Sequence, residues 1–98
     1  MTSSHIEFEW DPDKAQRNLR RHQIAFEEAV TVFDDEFALI FEDEVHSFDE
    51  PRDILIGYSN HAHLLTVIFT ERGQVVRLIS ARQATRNEKK RYEEEKRF

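Results

Sequence analysis

The side chains of this sequence best suited to chemistry are cations. Arg77 interrupts an otherwise apolar run, Val75-Val76-Arg77-Leu78-Ile79. A lone charge buried in such a strand is prohibitively costly, so Arg77 must reach water, a carboxylate or a ligand. Arg82 follows the run, Arg72 lies in the turn before it, and Arg86, Lys89, Lys90 and Arg91 come after. Guanidinium groups clasp phosphate oxygens through two parallel hydrogen bonds. A cluster of them can hold RNA and offset the extra negative charge of a five-coordinate phosphorus transition state. The plainer reading pairs Arg77 with Glu71 or Glu9 as a structural ion pair. Upstream, Lys14, Arg17 and Arg21 recur at spacings of three and four, which places them on one helix face.

Other chemistries have little support. Cys is absent, which excludes a disulfide scaffold, a thiolate zinc site and a cysteine nucleophile. His61 and His63 flank Ala62, and His46 lies near Asp43, Glu44 and Asp49, but none of these spacings matches a closed metal site. No metal and no cofactor are expected. Ser80 is not in a Gly-x-Ser-x-Gly elbow. Gly57 and Gly73 stand alone, so no glycine-rich loop cradles a phosphate.

The elements that must carry these groups follow from patterning. Ile6, Phe8 and Trp10 alternate with charged residues, which predicts a short strand. Asp11-Pro12 starts a helix, Asp as N-cap and Pro at the first position, running to about His22 on a thin apolar face of Ala15, Leu19 and His22. Phe26, Ala29, Val30 and Phe33 mark a second, core-facing helix ended by Asp34-Asp35-Glu36. Strands follow at Phe37 to Phe41, Asp53 to Ser59, Leu64 to Thr70 and Val75 to Ser80, the last three joined by tight turns. Thr85 and Glu88 form a capping box, opening a largely polar helix to about Arg97 whose one large apolar residue before Phe98 is Tyr92. The order β-α-α-β-β-β-β-α predicts one small α+β domain, residues 1–98, with helices packed on an antiparallel sheet.

The chain has 98 residues, 14 Lys plus Arg against 20 Asp plus Glu, and a formal charge of −6. Residues 1–50 carry net −10 and residues 51–98 net +4, which points to the second half for a positive patch. No apolar stretch approaches the ~20 residues of a membrane span. Met1 to Glu7 lack a signal-peptide pattern, so a cytoplasmic location is expected.

Several short pieces, in order, resemble the BrnT family of bacterial toxins. They include Phe8-Glu9-Trp10-Asp11-Pro12 with Lys14-Ala15 and Asn18, then Arg21-His22, Phe26-Glu27-Glu28-Ala29, Val32-Phe33 and His46-Ser47. Further on are Arg52 with Ile56-Gly57-Tyr58-Ser59, Phe69-Thr70-Glu71-Arg72-Gly73, Arg77-Leu78-Ile79-Ser80-Ala81-Arg82 and Ala84-Thr85 with Glu88 and Tyr92. The likeness runs from about residue 7 to 94. It departs at Gln23, where the family usually has Gly, and at Pro51, which replaces a usual acid beside the retained Glu50.

The resemblance implies a RelE-like ribonuclease fold and a type II toxin that cuts RNA, without a metal, and stops translation. It implies a BrnA-type ribbon–helix–helix antitoxin as partner, contact with DNA only through that antitoxin, and no membrane. Cleavage then needs a base for the 2′-hydroxyl, cations for the phosphate and an acid for the leaving 5′-oxygen. Candidates are Arg77 and Arg82 as clamps, Glu71, Glu50 and His22 as base, and Tyr92 or His22 as acid. Arg52, Arg72, Arg86, Lys90, Lys14 and Arg17 are candidates for holding the substrate. His22 can equally close helix one, Glu71 serve as an ion-pair partner, and Tyr92 anchor the last helix. The segment 34–50, eight acids in seventeen residues, would repel RNA or receive a basic antitoxin segment. The alternative function is a non-catalytic binding module that only assembles with an antitoxin or regulator.

Overall fold

The computed structural model describes residues 6–46 and 50–96. Ser47, Asp49, Arg97 and Phe98, named above, lie outside the described residues. Strand β1 is Glu7–Glu9, and helix α1 is Pro12–His22, capped by Asp11, whose side chain accepts the Asp13 N–H at 2.9 Å. Helix α2 spans Phe26–Val30 and tightens into a 3-10 turn, Thr31–Asp34. Strands β2 (Leu39–Glu42), β3 (Asp53–Tyr58), β4 (Leu64–Arg72) and β5 (Val75–Gln83) follow, then α3 (Arg86–Glu95). Both β4 and β5 run past the sequence-predicted ends, leaving Gly73-Gln74 as the hairpin tip, with Gly73 at φ 64°.

The sheet is mixed, in the order β1-β5-β4-β3-β2, which corrects the expectation of an all-antiparallel one. Strands β2 to β5 pair antiparallel, but β1 pairs parallel with β5, Glu9 opposite Arg77. Tight turns oblige neighbouring strands to reverse. No hairpin joins β1 to β5, so its direction is left to the packing of α1 and α2.

One face of the sheet carries the main core. Phe26, Ala29 and Val32 from the second helical segment close on Leu55, Leu65, Val67, Phe69, Leu78 and Ala81. Phe33 sits edge-on to both Phe8 (5.0 Å) and Phe69 (5.1 Å), tying β1 to the centre of the sheet. The strand β4 is buried on both faces, because α3 covers part of the second face: Tyr92 is 1% exposed and packs edge-on to Tyr58 at 5.4 Å. Asp35 locks this arrangement by accepting the Tyr92 hydroxyl (2.7 Å), the Tyr58 N–H (2.8 Å) and the Phe37 N–H (2.9 Å). Gly57 lets this turn approach β3: a Cβ there would lie 3.0 Å from Ala38, Asp35 and Val32.

Candidate functional site

The site grows from an unpaired edge. Strand β1 ends at Glu9, opposite Arg77, so β5 beyond that point has no neighbouring strand on this side. Helix α1 takes its place, and a buried amide does the pairing. Asn18 donates to the carbonyls of Ala81 (2.8 Å) and Ile24 (2.9 Å) and accepts the Ala81 N–H (3.0 Å). Its side chain thus stands in for a strand's peptide group, which an edge buried under a helix requires. Leu19, expected on the apolar face, is instead 49% exposed, because the helix meets backbone here.

Beside this contact opens a cleft of about 510 Å³, lined by Lys14, Arg17, Asn18, Arg20, Arg21, His22, Ile79 and Ser80. It holds four permanent cations, no carboxylate, and one imidazole. Among the described residues, Lys14, Arg17, Arg20 and Arg21 have no acidic partner. Cations so placed raise the local concentration of an anionic ligand. The turn closing α1 adopts a left-handed cap on a residue other than Gly. Gln23 holds φ 59°, its N–H reaches the Leu19 carbonyl (2.9 Å) and its side chain donates to the Arg20 carbonyl (2.9 Å).

A bulge at Ile79 sets what lies beyond the cleft. Ile68 pairs with Ser80 but Phe69 with Leu78, leaving Ile79 extra on β5. Residues 77 and 82 would otherwise fall on opposite faces, since the side-chain period of a strand is two. With the bulge, Arg77, Ser80 and Arg82 oppose Thr70, Ile68 and Thr66 and share one face. Both arginines are ion-paired: Arg77 to Glu9 (2.9 Å), Arg82 to both oxygens of Glu88 (2.8 and 3.0 Å). Burial pushes the Glu88 carboxyl up, but hydrogen bonds from Arg82, the Thr85 N–H and Thr66 outweigh it and bring it down to about 2.

The other sequence candidates are dispersed. Arg72 holds both oxygens of Glu50 at 3.0 Å, which keeps that carboxyl below its usual range, and Arg52 lies near the same carboxylate. Glu71 pairs with Val76 in register, so alternation turns it to the face opposite Arg77. Burial and the Asp35 carboxylate push the Tyr92 hydroxyl above its ordinary range, and it stands as the anchor of α3. Arg86 and Lys90 are exposed on α3. His63 contacts Glu28 (2.7 Å) with His61 stacked beside it, and His46 contacts Asp43 (3.1 Å). No group of three or more potential metal ligands converges among the described residues.

The structure therefore gathers Lys14, Arg17 and His22 with three residues the sequence reading left outside its candidates, Arg20, Arg21 and Ser80. The stripe Lys14, Arg17, Arg21 was visible as a helix face. Ser80 carried no signal, because the bulge that exposes it is not written in hydrophobic alternation.

Comparison with known proteins identifies the family and the fold. A family model for "Ribonuclease toxin, BrnT, of type II toxin-antitoxin system" matches residues 10–88. The crystal structure of the Brucella abortus ribonuclease toxin BrnT superposes with a TM-score of 0.64 at 25% identity, covering 83% of this chain and 99% of that one. No curated protein matches.

Proposed function

The chain belongs to the BrnT ribonuclease toxins of type II toxin–antitoxin systems, and from that premise we propose that it is a metal-independent endoribonuclease gripping RNA in the α1–β5 cleft. The observation that carries this reading is the cleft itself: four cations free of carboxylates, against an ion-paired Arg72, Arg77 and Arg82 elsewhere. Lys14, Arg17, Arg20 and Arg21 bind successive phosphates of a single strand. His22, half-buried at the cleft wall, takes the 2′-hydroxyl proton. The 2′-oxygen attacks the adjacent phosphorus, the bond to the 5′-oxygen breaks, and that oxygen takes a proton from water while the His22 imidazolium returns its own proton to solvent. The products are a 2′,3′-cyclic phosphate and a 5′-hydroxyl end.

Arg77 and Arg82 flank Ser80 on its face of β5, beside the cleft that Ser80 lines. A phosphate must compete with Glu9 and Glu88 for them, so they act as late contacts that favour the more highly charged transition state. Cutting RNA in this way, as RelE-type ribonucleases do, would arrest translation in the cytoplasm until a BrnA-type ribbon–helix–helix antitoxin, which alone contacts DNA, masks the toxin. Among the described residues no helix is long and apolar enough to cross a membrane.

The test is incubation of the purified protein with RNA, with and without EDTA, and each outcome is read in both arms. Cleavage with cyclic phosphate ends is expected, and His22→Ala should lower the rate about a hundredfold or more while leaving RNA affinity unchanged. Intact RNA would leave only the non-catalytic, antitoxin-binding module. Cleavage by His22→Ala at the parent rate would remove His22 from the chemistry.

A further inference from the structure

The edge of the sheet opposite the cleft has unusual features. Strand β2 is terminal in the sheet order. The Asp43 N–H donates to the Arg52 carbonyl at 2.8 Å, which fixes the phase of the β2–β3 ladder. Antiparallel pairs alternate between bonded and non-bonded positions. Phe41 and Leu39 therefore bond inward to β3, and the N–H and C=O groups of Ile40 and Glu42 face outward. Proteins usually blunt such an edge with Lys, Pro or a covering segment. Here the edge carries an apolar side chain instead, Ile40 at 60% exposure, with Val45 at 71% in the turn just beyond the strand.

The charge around this edge selects its occupant. Residues 34–46 contain six acids and no Lys or Arg, and Glu36, Glu42 and Glu44 are exposed and have no ion-pair partner among the described residues. Two cations from α3 reach this segment, Arg91 over the Phe41 ring (4.2 Å) and Lys96 over the Phe37 ring (5.6 Å), and the six acids leave it net negative. RNA and anionic membranes are repelled. A second copy of the chain docking edge to edge would set its own acids against these. An extended segment alternating apolar with basic residues satisfies all three features: backbone groups, exposed apolar side chains and negative charge.

We propose that the β2 edge is the docking strand for an extended, basic segment of the partner antitoxin, which joins the sheet as an added strand. Naming the partner an antitoxin rests on the toxin reading above; the chemistry of the edge does not.

The probe is a synthetic peptide alternating lysine with valine, with a glutamate–valine peptide as control. Hydrogen exchange should slow at the Ile40 and Glu42 amides with the first peptide only. Glu42→Lys combined with Glu44→Lys should weaken binding about tenfold or more. Ile40→Pro removes one outward donor together with the Ile40 side chain, leaves the bonds to β3 in place, and should abolish the protection at Glu42. Should Ile40→Pro fail to fold, a lysine–valine peptide with an N-methylated backbone asks the same question, and its binding should be lost. Binding without protection of these amides, or no binding, overturns the proposal, as does formation of a β2-paired dimer. An antitoxin that neutralises this chain should displace the peptide; one that binds alongside it refutes the partner assignment. Edge capture with no RNA cleavage refutes the toxin reading and leaves the docking edge standing.

Discussion

Removing two cations from the cleft should change how RNA binding responds to salt. Arg17 and Arg21 are exposed, lie on one face of α1 and have no ion-pair partners among the described residues, so alanine at both preserves the helix. Each phosphate neutralised on a single strand contributes about −0.7 to the slope of log affinity against log salt. Four contacts, from Lys14, Arg17, Arg20 and Arg21, predict a slope of about −2.8, and Arg17→Ala with Arg21→Ala about −1.4. Between roughly 50 and 200 mM salt the parent then loses affinity about fiftyfold and the double variant about sevenfold. Fluorescence anisotropy with a 2′-O-methyl RNA measures this, because that ligand has no 2′-hydroxyl to attack. Arg77→Ala with Arg82→Ala should keep nearly the parent slope, since Glu9 and Glu88 already neutralise those charges. A parent slope in the Arg17/Arg21 variant, or its loss in the Arg77/Arg82 variant, would refute the placement of RNA in the α1 cleft.

Three further outcomes concern the scaffold. Asn18→Ala strands the Ala81 N–H and C=O at a covered edge, and should cost about 2–4 kcal/mol in urea unfolding. Glu88 titrates lower in the folded than in the unfolded chain, so its contribution is complete above about pH 5 and lost as pH falls toward 2. Screening at the part-exposed Arg82 limits that contribution to about 1–2 kcal/mol, and the stability curves of the parent and Glu88→Gln should converge in acid. Gln23→Gly relieves a left-handed cap but gives up the bond to the Arg20 carbonyl, and should raise stability by up to about 1 kcal/mol in thermal melts.

Local chemistry was legible in the sequence wherever one residue decides a local structure. Asp11-Pro12 started α1 and Thr85 with Glu88 capped α3, because a cap needs only its own neighbours. The element order was likewise readable from alternation and turns. Placement was not. Charge counted by halves pointed to residues 51–98, yet all four bases of the acidic half line the cleft, since one helix face concentrates them while the second half spends Arg72, Arg77 and Arg82 on carboxylates. The parallel β1 and the bulge at Ile79 depend on contacts between distant segments, which no local pattern records.

The layout of the sheet also separates anchoring from inhibition. The cleft lies along β5 on its β1 side, and β2 is the far edge, three strand spacings away. A strand docked on the β2 edge is one spacing further out, so at about 4.8 Å per spacing it sits roughly 19 Å from β5. A docked strand alone therefore cannot cover Lys14 or His22, and masking them requires more of the antitoxin to cross the sheet. A lysine–valine peptide bound at β2 should leave RNA cleavage at its parent rate, while the whole antitoxin abolishes it. Competitive inhibition by the peptide, measured as a rise in KM for RNA, would mean that it reaches the cleft and that the two edges are not independent.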